Sequence, residues 1–336
     1  ITAALYFASN DLTVAIVDDD FVDQATVDVY NTAHNTNYTW GYDAFSTIQD
    51  AMAAVTGSTI YVNVGTYYET LNITLANLSI IGEDRATVII DPTGLQTNNA
   101  GVYVAANNVT LQGFTLRGTL TNSLPRYGIK YGAVSGGVVE DVTVQTCYRS
   151  GFDMLGTSNL ALINVAALNN GGHGLALTDC NGVAVTDLTV SGNAWQGVSI
   201  ATWGRYTPLG TSGIVFGGTN TFSDEFQLEM GDYNNPGVPP AGGALITYST
   251  NILDGADVTV LAADFGFAVH GTQDDAPGQA RIWFVPTLND GVTLLSLAPI
   301  GHWTGVDMYI EDLVDETQLY VSPVGTIQAA VDAADP

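Results

Sequence analysis

The residues best suited to chemistry form a small group of cations and aromatics in a chain that is otherwise very acidic. The protein has 336 residues, with 7 lysines and arginines against 34 aspartates and glutamates. Guanidinium groups bind carboxylates in a bidentate manner, and aromatic faces cover sugar rings. We therefore predict a binding site for an acidic sugar, with these candidate ligand-binding residues: Arg126, Lys130, Arg149, Trp195, Trp203 and Arg205.

The same stretch holds residues for acid–base chemistry. A reaction at C5 of a uronate needs a base, a group that neutralises the carboxylate and an acid for the leaving oxygen. The side chains of Tyr148, Arg149, Asp153 and His173 have the types that fill these roles. A structural interpretation competes with catalysis, because His173 can cap a turn and Arg149 can neutralise Asp153. For this cluster we favour the structural interpretation, and the sequence leaves two alternatives open, glycan binding without catalysis and catalysis.

Two acidic stretches concentrate the oxygen ligands that Ca²⁺ prefers. One contains Asp18, Asp19 and Asp20, and the other contains Asp274 and Asp275. Neither stretch has the spacing of an EF-hand or of a calcium-binding nonapeptide repeat. Ca²⁺ is the one cofactor that these residues suggest, and solvated acidic loops are the alternative.

The elements that must position these residues repeat along the chain. Gly128, Gly151, Gly174 and Gly197 follow one another at a constant spacing. Each unit holds three short stretches of alternating apolar residues between Gly, Asn, Ser and Thr turns, which is the signal of strands. Three strands per unit without intervening helices predict an all-β fold, a single-stranded parallel β-helix with about 23 residues per coil.

Residues one period apart should stack directly, because each coil adds one inter-strand spacing. The register predicts that three pairs point into the core: Phe152 and Met154, Leu175 and Leu177, Val198 and Ile200. It also stacks Asn170 on Asn193, with Cys147 at the same position one coil earlier. Cys180 falls at a different corner, so we predict that both cysteines are free.

The ends of the solenoid differ from its middle. Residues 45–55 have the spacing of an amphipathic helix, and a clear strand and turn follow at 58–69. We predict an N-terminal strand and acidic loop over 1–40, and a β-helix over 41–317 with a cap helix at 45–55. Its coils are regular to about residue 200 and irregular afterwards, where long turns such as 231–243 intervene.

The N-terminal pattern resembles that of secreted and cell-surface right-handed parallel β-helix proteins of the pectate-lyase-like superfamily. Their chains often open with an "ATIQ-A" helix followed by "TVYV-PGTY-E"; the matching residues are Thr47, Ile48, Gln49, Ala51, Ile60, Tyr61, Val62, Gly65, Thr66, Tyr67 and Glu69. The resemblance covers roughly residues 12–200 and implies a right-handed solenoid. It leaves the function open, since such proteins include lyases, hydrolases, epimerases, phage spikes and adhesins.

Residues 150–155 and 169–177 together are also similar to the mannuronan C5-epimerases, which are right-handed β-helices. That family continues Asp-Pro-His where this chain has Asp153-Met154-Leu155. It has Arg-His where this chain has Gly172-His173. Two elements of the epimerase pattern are therefore missing.

The C-terminal residues 318–336 repeat the opening pattern. Thr326-Ile327-Gln328-Ala329-Ala330 echoes Thr47-Ile48-Gln49-Asp50-Ala51. We interpret this echo as the start of a second β-helix cap, either in a tandem array or covering the open end of a neighbouring molecule. A coincidental Ala-rich terminal helix is the alternative.

Composition excludes several classes of function. A net charge of −27 and a pI near 4.1 argue against nucleic acid as a partner, because phosphate binding needs basic patches. No apolar run is long enough for a membrane span, and the first residues lack the basic region of an intact signal peptide. We predict an extracellular or cell-surface structural protein, adhesive or glycan-binding, in a filament-like array of copies or repeats. A polysaccharide lyase, C5-epimerase or hydrolase acting on an acidic polysaccharide is the alternative.

Overall fold

The computed structural model describes residues 12–95, 99–121, 125–195, 197–202 and 212–222, and five later strands. Its helices are α1 (Gln24–His34) and α2 (Ile48–Ala54). Strands β1 to β7 are Leu12–Val17, Ala44–Phe45, Val55–Val62, Gly65–Tyr67, Leu71–Ile73, Ser79–Gly82 and Val88–Ile90. Strands β8 to β14 are Ala100–Val104, Val109–Arg117, Tyr127–Tyr131, Gly137–Gln145, Phe152–Leu155, Ala161–Ile163 and Ala166–Leu168. Strands β15 to β21 are Leu175–Thr178, Ala184–Thr186, Thr189–Ser191, Val198–Thr202, Ser212–Gly217, Thr221–Phe222 and Leu228–Asp232. Strands β22 to β25 are Thr247–Tyr248, Phe267–Ala268, Tyr309–Glu311 and Leu319–Val321.

Parallel pairing between successive coils builds the solenoid. A fifteen-stranded sheet follows the order β2-β1-β3-β6-β9-β11-β13-β16-β19-β22, and β4, β7, β14, β17 and β20 branch from it. An eight-stranded sheet follows the order β23-β21-β18-β15-β12-β10-β8-β5. Among the strands described, only β24 and β25 pair antiparallel. The prediction of a parallel β-helix is confirmed.

The predicted period holds in the middle coils. In the eight-stranded sheet, Ile129 pairs with Phe152, Phe152 with Leu175, and Leu175 with Val198, and each of these steps equals the predicted period. Outer coils differ in length, since the step from Ile60 to its partner Ile80 is shorter. The step from Val185 to its partner Phe216 is longer. The length differences fall in the turns, so the strands remain stacked.

The six side chains predicted to point inward are buried in one continuous hydrophobic core. At the turn beside them, the Nδ2 atom of Asn170 donates to Oδ1 of Asn193 over 2.9 Å. The backbone N–H of Cys147 donates to Oδ1 of Asn170 over 3.0 Å. A Cβ built on Gly151 would lie 2.7 Å from Nδ2 of Asn170, and one on Gly174 would lie 2.8 Å from Nδ2 of Asn193. Gly151 and Gly174 therefore leave room for the asparagine ladder, whereas a Cβ on Gly128 would meet Val144 and the carbonyl oxygen of Gly151.

The two cysteines are buried and free, as predicted. Burial raises the pKa of both thiols to about 12, so they remain protonated near neutral pH. They act as packing residues at two different corners of the solenoid.

Helix α2 caps the N-terminal end of the solenoid, and it lies inside the predicted span 45–55. The hydroxyl of Thr47 accepts a hydrogen bond from the N–H of Asp50, which caps the first turn. The carboxylate of Glu69 accepts the N–H groups of Ile48 and Gln49, each over 2.8 Å. Ile48 and Ala51 are completely buried against the core. The cap therefore closes the open end of the apolar interior.

Helix α1 lies in the segment that the sequence analysis described only as a strand and an acidic loop. A capping box between Asp23 and Thr26 starts the helix, and Asn35 caps its C-terminal end with a left-handed φ of 55°. Val27 packs with Ile16 and other apolar side chains in a separate small core outside the first coil. Strand β1 pairs in parallel with β3, so it forms part of the fifteen-stranded sheet.

The predicted second cap at 326–330 lies outside the described residues, as do most residues after 222. Neither helix in the described part of the chain has the length and hydrophobicity of a membrane span.

Candidate ligand-binding site

A backbone ladder at one corner of the solenoid carries the predicted cations. The N–H of Arg149 donates to the carbonyl of Arg126 over 2.8 Å, and the N–H of Gly172 donates to the carbonyl of Arg149 over 3.2 Å. The N–H of Trp195 in turn donates to the carbonyl of Gly172 over 3.2 Å. These four residues therefore stack on successive coils, as the period predicted.

The lysine of this corner is paired with an acid. Lys130 on β10 stands beside Asp153 on β12, and its Nζ lies 2.6 Å from Oδ2 of Asp153. The two side chains are only 18% and 9% exposed. The Lys130 Nζ also lies 4.1 Å from the centroid of the Tyr127 ring. The suggestion that Arg149 neutralises Asp153 is wrong, because Lys130 takes that place.

Arg149 is held between two aromatic rings. Its Cζ lies 5.0 Å from the centroid of the Trp195 ring and 5.5 Å from that of Tyr127. Its Nε is buried and has no hydrogen-bond partner. Three ion pairs occur among the residues that the structure describes, and they use Arg85, Arg117 and Lys130. Arg149 is thus a cation oriented by aromatic faces and left without a carboxylate partner within the described chain.

Gly172 makes the contact between Arg149 and Trp195 feasible. The two side chains belong to coils that are separated by the coil of Gly172, which contributes no side chain between them. A Cβ built on Gly172 would lie 2.8 Å from the backbone carbonyl carbon of Arg149. The glycine that departs from the epimerase pattern therefore has a structural role here.

The other predicted site residues surround this group. The ring of His173 contacts Trp195 edge-on, with centroids 5.0 Å apart and an interplanar angle of 78°. Tyr148 is half-buried in the same turn as Arg149, and Arg126 is exposed. The corner therefore brings together Arg126, Lys130, Tyr148, Arg149, Asp153, His173 and Trp195. Trp203, Arg205, Asp274 and Asp275 lie outside the described residues.

We call Tyr127, Arg149, His173 and Trp195 the aromatic–arginine cluster. Sequence reasoning did not assign Tyr127 to the site, although its position one residue after Arg126 was a usable signal. Among these four residues, Trp195 is 37% exposed, so the cluster reaches solvent. Chemically it offers a guanidinium edge for an anion and aromatic surface for an apolar ring.

The three acids at the start of the chain do lie together, with ligand atoms within 4.8 Å of one another. Carboxylate oxygens of two of these acids also have partners in the protein. Asp18 accepts from the side chain of Asn63 over 2.9 Å, and Asp19 accepts from the N–H of Thr66 over 2.9 Å. Calcium at Asp18, Asp19 and Asp20 stays a prediction.

Comparison with known proteins agrees with the geometry. A family described as "Right handed beta helix region" matches residues 93–214. The protein is a right-handed parallel β-helix. No curated protein matches its sequence.

Several solved structures are similar to this right-handed β-helix. A pectin methylesterase from Erwinia chrysanthemi is 15% identical, with a TM-score of 0.43 over 70% of this chain and 76% of that chain. A mannuronan C-5 epimerase A-module from Azotobacter vinelandii is 14% identical, with a TM-score of 0.33 over 83% of this chain and 93% of that chain. The catalytic domain of an alpha-1,3-glucanase in complex with nigerose is 11% identical, with a TM-score of 0.33 over 78% of this chain and 62% of that chain.

Proposed function

We propose that this β-helix is an extracellular, glycan-binding structural protein that holds an acidic polysaccharide at the aromatic–arginine cluster. The observation that carries the proposal is Arg149, whose guanidinium lies between Trp195 and Tyr127 and has no carboxylate partner among the described residues. The guanidinium of Arg149 is therefore held in position to bind an anion, and the described part of the chain does not supply that anion. A cation without a carboxylate partner is unexpected in a chain with a net charge of −27, where acidic residues greatly outnumber basic ones.

The geometry favours a planar anion such as a carboxylate. The guanidinium carbon lies over both aromatic rings, and the guanidinium N–H groups are the donors that an anion would contact. The buried Nε leaves the terminal nitrogens as the donors for a bidentate contact. Trp195 then offers its remaining exposed surface to the sugar ring that carries the acid. A uronate residue of a polysaccharide has both groups.

Arg126 extends the site by one coil. It is exposed, and it precedes Arg149 on the same backbone ladder. Adjacent coils lie about 4.8 Å apart. Two cations in this arrangement suit a chain of acidic sugars that runs along the solenoid axis better than they suit a single acid.

An enzyme that acts on an acidic polysaccharide is the second candidate. The specific observation in its favour is Asp153, a 7% exposed carboxylate held by Lys130 beside the cluster. Buried carboxylates next to a ligand site are candidates for acid–base work. Binding remains the preferred function, because the cluster contains the parts for anion recognition, whereas Arg149 and Asp153 do not pair with each other.

Titration with polygalacturonate oligomers, followed by tryptophan fluorescence and calorimetry, tests the proposal. Fully methyl-esterified oligomers of the same length serve as the uncharged control ligand. We expect binding of the acid form only, weakened by added salt because charges carry it. Arg149→Gln should reduce affinity about tenfold or more, the effect of losing a charge-assisted hydrogen bond.

Arg85→Gln is the matched control, since it removes an equal charge from the ion pair with Asp141, away from the cluster. Equal binding by wild type and Arg149→Gln would refute the proposed site. The same mixtures are assayed for unsaturated or epimerised products. Turnover that Asp153→Asn abolishes would replace the binding function with the enzymatic one.

The array remains a proposal that rests on the repeated pattern at 326–330. In the first copy of that pattern, Thr47 is the N-cap of helix α2 and Ile48 is buried in the core. The helix thereby closes one end of the solenoid. A second copy suits a second solenoid end, within the same polypeptide or on a neighbouring molecule. Sedimentation of the protein at increasing concentration tests the second arrangement, and a concentration-independent monomer would exclude it.

A further inference from the structure

Lys130 is the only lysine in the sequence, and its ammonium group is bound to a carboxylate of the protein. It stands on the outer side of the eight-stranded sheet, because its neighbours Ile129 and Tyr131 point into the core. Asp153 pairs with it in register on the next coil. The Nζ of Lys130 and Oδ2 of Asp153 lie 2.6 Å apart, so they form a charge-assisted hydrogen bond. The carboxylate of Asp153 therefore takes the position that a ligand carboxylate would occupy on Lys130.

Lys130 is close enough to the aromatic–arginine cluster to influence what binds there. Its Nζ lies 4.1 Å from the centroid of the Tyr127 ring, and the Cζ of Arg149 lies 5.5 Å from the same centroid. The two cations are therefore within about 10 Å of each other, which is about one Debye length at ordinary ionic strength. An anion held by Arg149 thus interacts electrostatically with both Lys130 and Asp153.

We propose that Asp153 determines how much negative charge the site accepts, because it holds Lys130 in place of a ligand carboxylate. This inference rests on the proposed glycan binding and assigns an inhibitory role within that site. While Asp153 is bound to Lys130, the arginines Arg126 and Arg149 are the cations that the described corner offers to a ligand. Removal of the Asp153 carboxylate releases Lys130 as a third cation. The native site therefore favours glycans with fewer carboxylates than three cations could bind.

Variants of the pair should change affinity in opposite directions, which separates a role in binding from a role in folding. Asp153→Asn should bind polygalacturonate oligomers about threefold or more tightly than wild type, and added salt should weaken that binding more steeply. Lys130→Gln should bind about threefold or more weakly, because the free Asp153 carboxylate then repels the ligand. The double variant lacks both charges and should return to within about twofold of wild type. If the pair only stabilised the fold, all three variants would bind more weakly.

Asp141→Asn is the matched control for these titrations. It also removes a carboxylate from an ion pair, that with Arg85, and it lies on β11 of the fifteen-stranded sheet. Its change in net charge equals that of Asp153→Asn, and its affinity for the oligomers should equal that of wild type. Equal gains in affinity in the two variants would assign the effect to net charge and overturn the proposal.

A second measurement needs no polysaccharide, because the single lysine can be followed by itself. Acylation with an amine-reactive ester, quantified at Lys130 by peptide mass spectrometry, reports whether its amino group is free. Galacturonate is the carboxylate probe, and the controls are galactose and sodium chloride at the same ionic strength. We expect galacturonate to slow acylation about twofold or more in Asp153→Asn, and to leave the wild-type rate unchanged because Asp153 already occupies Lys130.

The two measurements distinguish failure of this proposal from failure of the proposed function. Equal protection of Lys130 by galacturonate in wild type and Asp153→Asn would mean that Asp153 does not exclude external carboxylates, and the proposal would be wrong. Oligomer binding by wild type that Asp153→Asn does not strengthen would also overturn it. If the oligomers bound to neither protein, the proposed function would fail, and the acylation of Lys130 would still decide the role of Asp153.

Discussion

Tyr131 is a core residue whose polar atom is unsatisfied. It lies in line with Val104 and Met154 on the inward side of the eight-stranded sheet, and its ring is completely buried. Its hydroxyl has no hydrogen-bond partner, and burial raises its pKa well above the ordinary value for tyrosine. A buried donor without a partner costs free energy that an apolar isostere does not.

Tyr131→Phe should therefore raise the free energy of unfolding by about 1 kcal/mol. Urea denaturation followed by tryptophan fluorescence measures the change. Tyr67→Phe is the matched control, because the hydroxyl of Tyr67 donates to the carbonyl of Asn63 over 2.8 Å. That variant should lose stability, and a loss of similar size in both variants would contradict the assignment.

At the candidate site, the positions of residues along the solenoid could be predicted from the sequence, but their side-chain contacts could not. The period placed Arg126, Arg149 and Trp195 on one corner, and the structure confirms this stacking. The period could not predict that Lys130 pairs with Asp153 or that Tyr127 joins the cluster. A register fixes which residues are neighbours along the solenoid axis, but it does not fix the torsion angles of long side chains.

Among the elements, the corner between β7 and β9 is held by an ion pair that responds to pH. Arg117, the last residue of β9, contacts Oδ2 of Asp91 through its Nε at 3.2 Å and Nη2 at 2.9 Å. Burial tends to raise the pKa of Asp91. Hydrogen bonds from Thr93 and Arg117 outweigh that effect, and the pKa is lowered.

The lowered pKa makes this corner sensitive to acid. Between that pKa and the ordinary aspartate range, the unfolded chain binds more protons than the native protein. The stabilisation that the Asp91–Arg117 ion pair provides is therefore complete above the ordinary pKa range of aspartate. It is lost as the pH falls through the lowered pKa of Asp91. Asp91→Asn should be less stable than wild type at neutral pH and should lose less stability on acidification. Urea midpoints measured across acidic pH give the comparison.

Asp20→Asn is the control for that series, since Asp20 is an exposed acid at the surface. Its stability should follow the wild-type pH profile. If Asp91→Asn also followed the wild-type profile, the ion pair would contribute nothing to acid sensitivity.

The strands were predictable where the coils are uniform, and α1 was not. Alternation and a constant step identified the coils around Ile129, Phe152, Leu175 and Val198. Coils with longer turns have no constant step, although their strands stack equally well. In α1, Val27 is the one buried residue, so its sequence has little apolar periodicity to detect.

At the scale of the whole molecule, the cap helix α2 prevents the N-terminal end of the solenoid from associating with other chains. An uncapped end exposes apolar interior and unpaired strand edges, which other chains can extend. Ile48→Asp places a charge in the completely buried cap position. We expect loss of about 3 kcal/mol or more in unfolding free energy and concentration-dependent association.

Light scattering and analytical ultracentrifugation measure that association. Gln49→Asp changes the neighbouring exposed position in the same helix and should remain as monodisperse as wild type. Association in both variants would assign the effect to surface charge rather than to the cap.

Gly172 makes the binding corner depend on the number of coils that lie between its residues. In the middle coils, each strand stacks directly on the equivalent strand of the coil before it. The contact between Arg149 and Trp195 requires one intervening coil that has glycine at this corner. A coil duplicated or deleted between Arg149 and Trp195 would change the separation of these two side chains and remove the contact. The site therefore fixes the number of coils between Arg149 and Trp195.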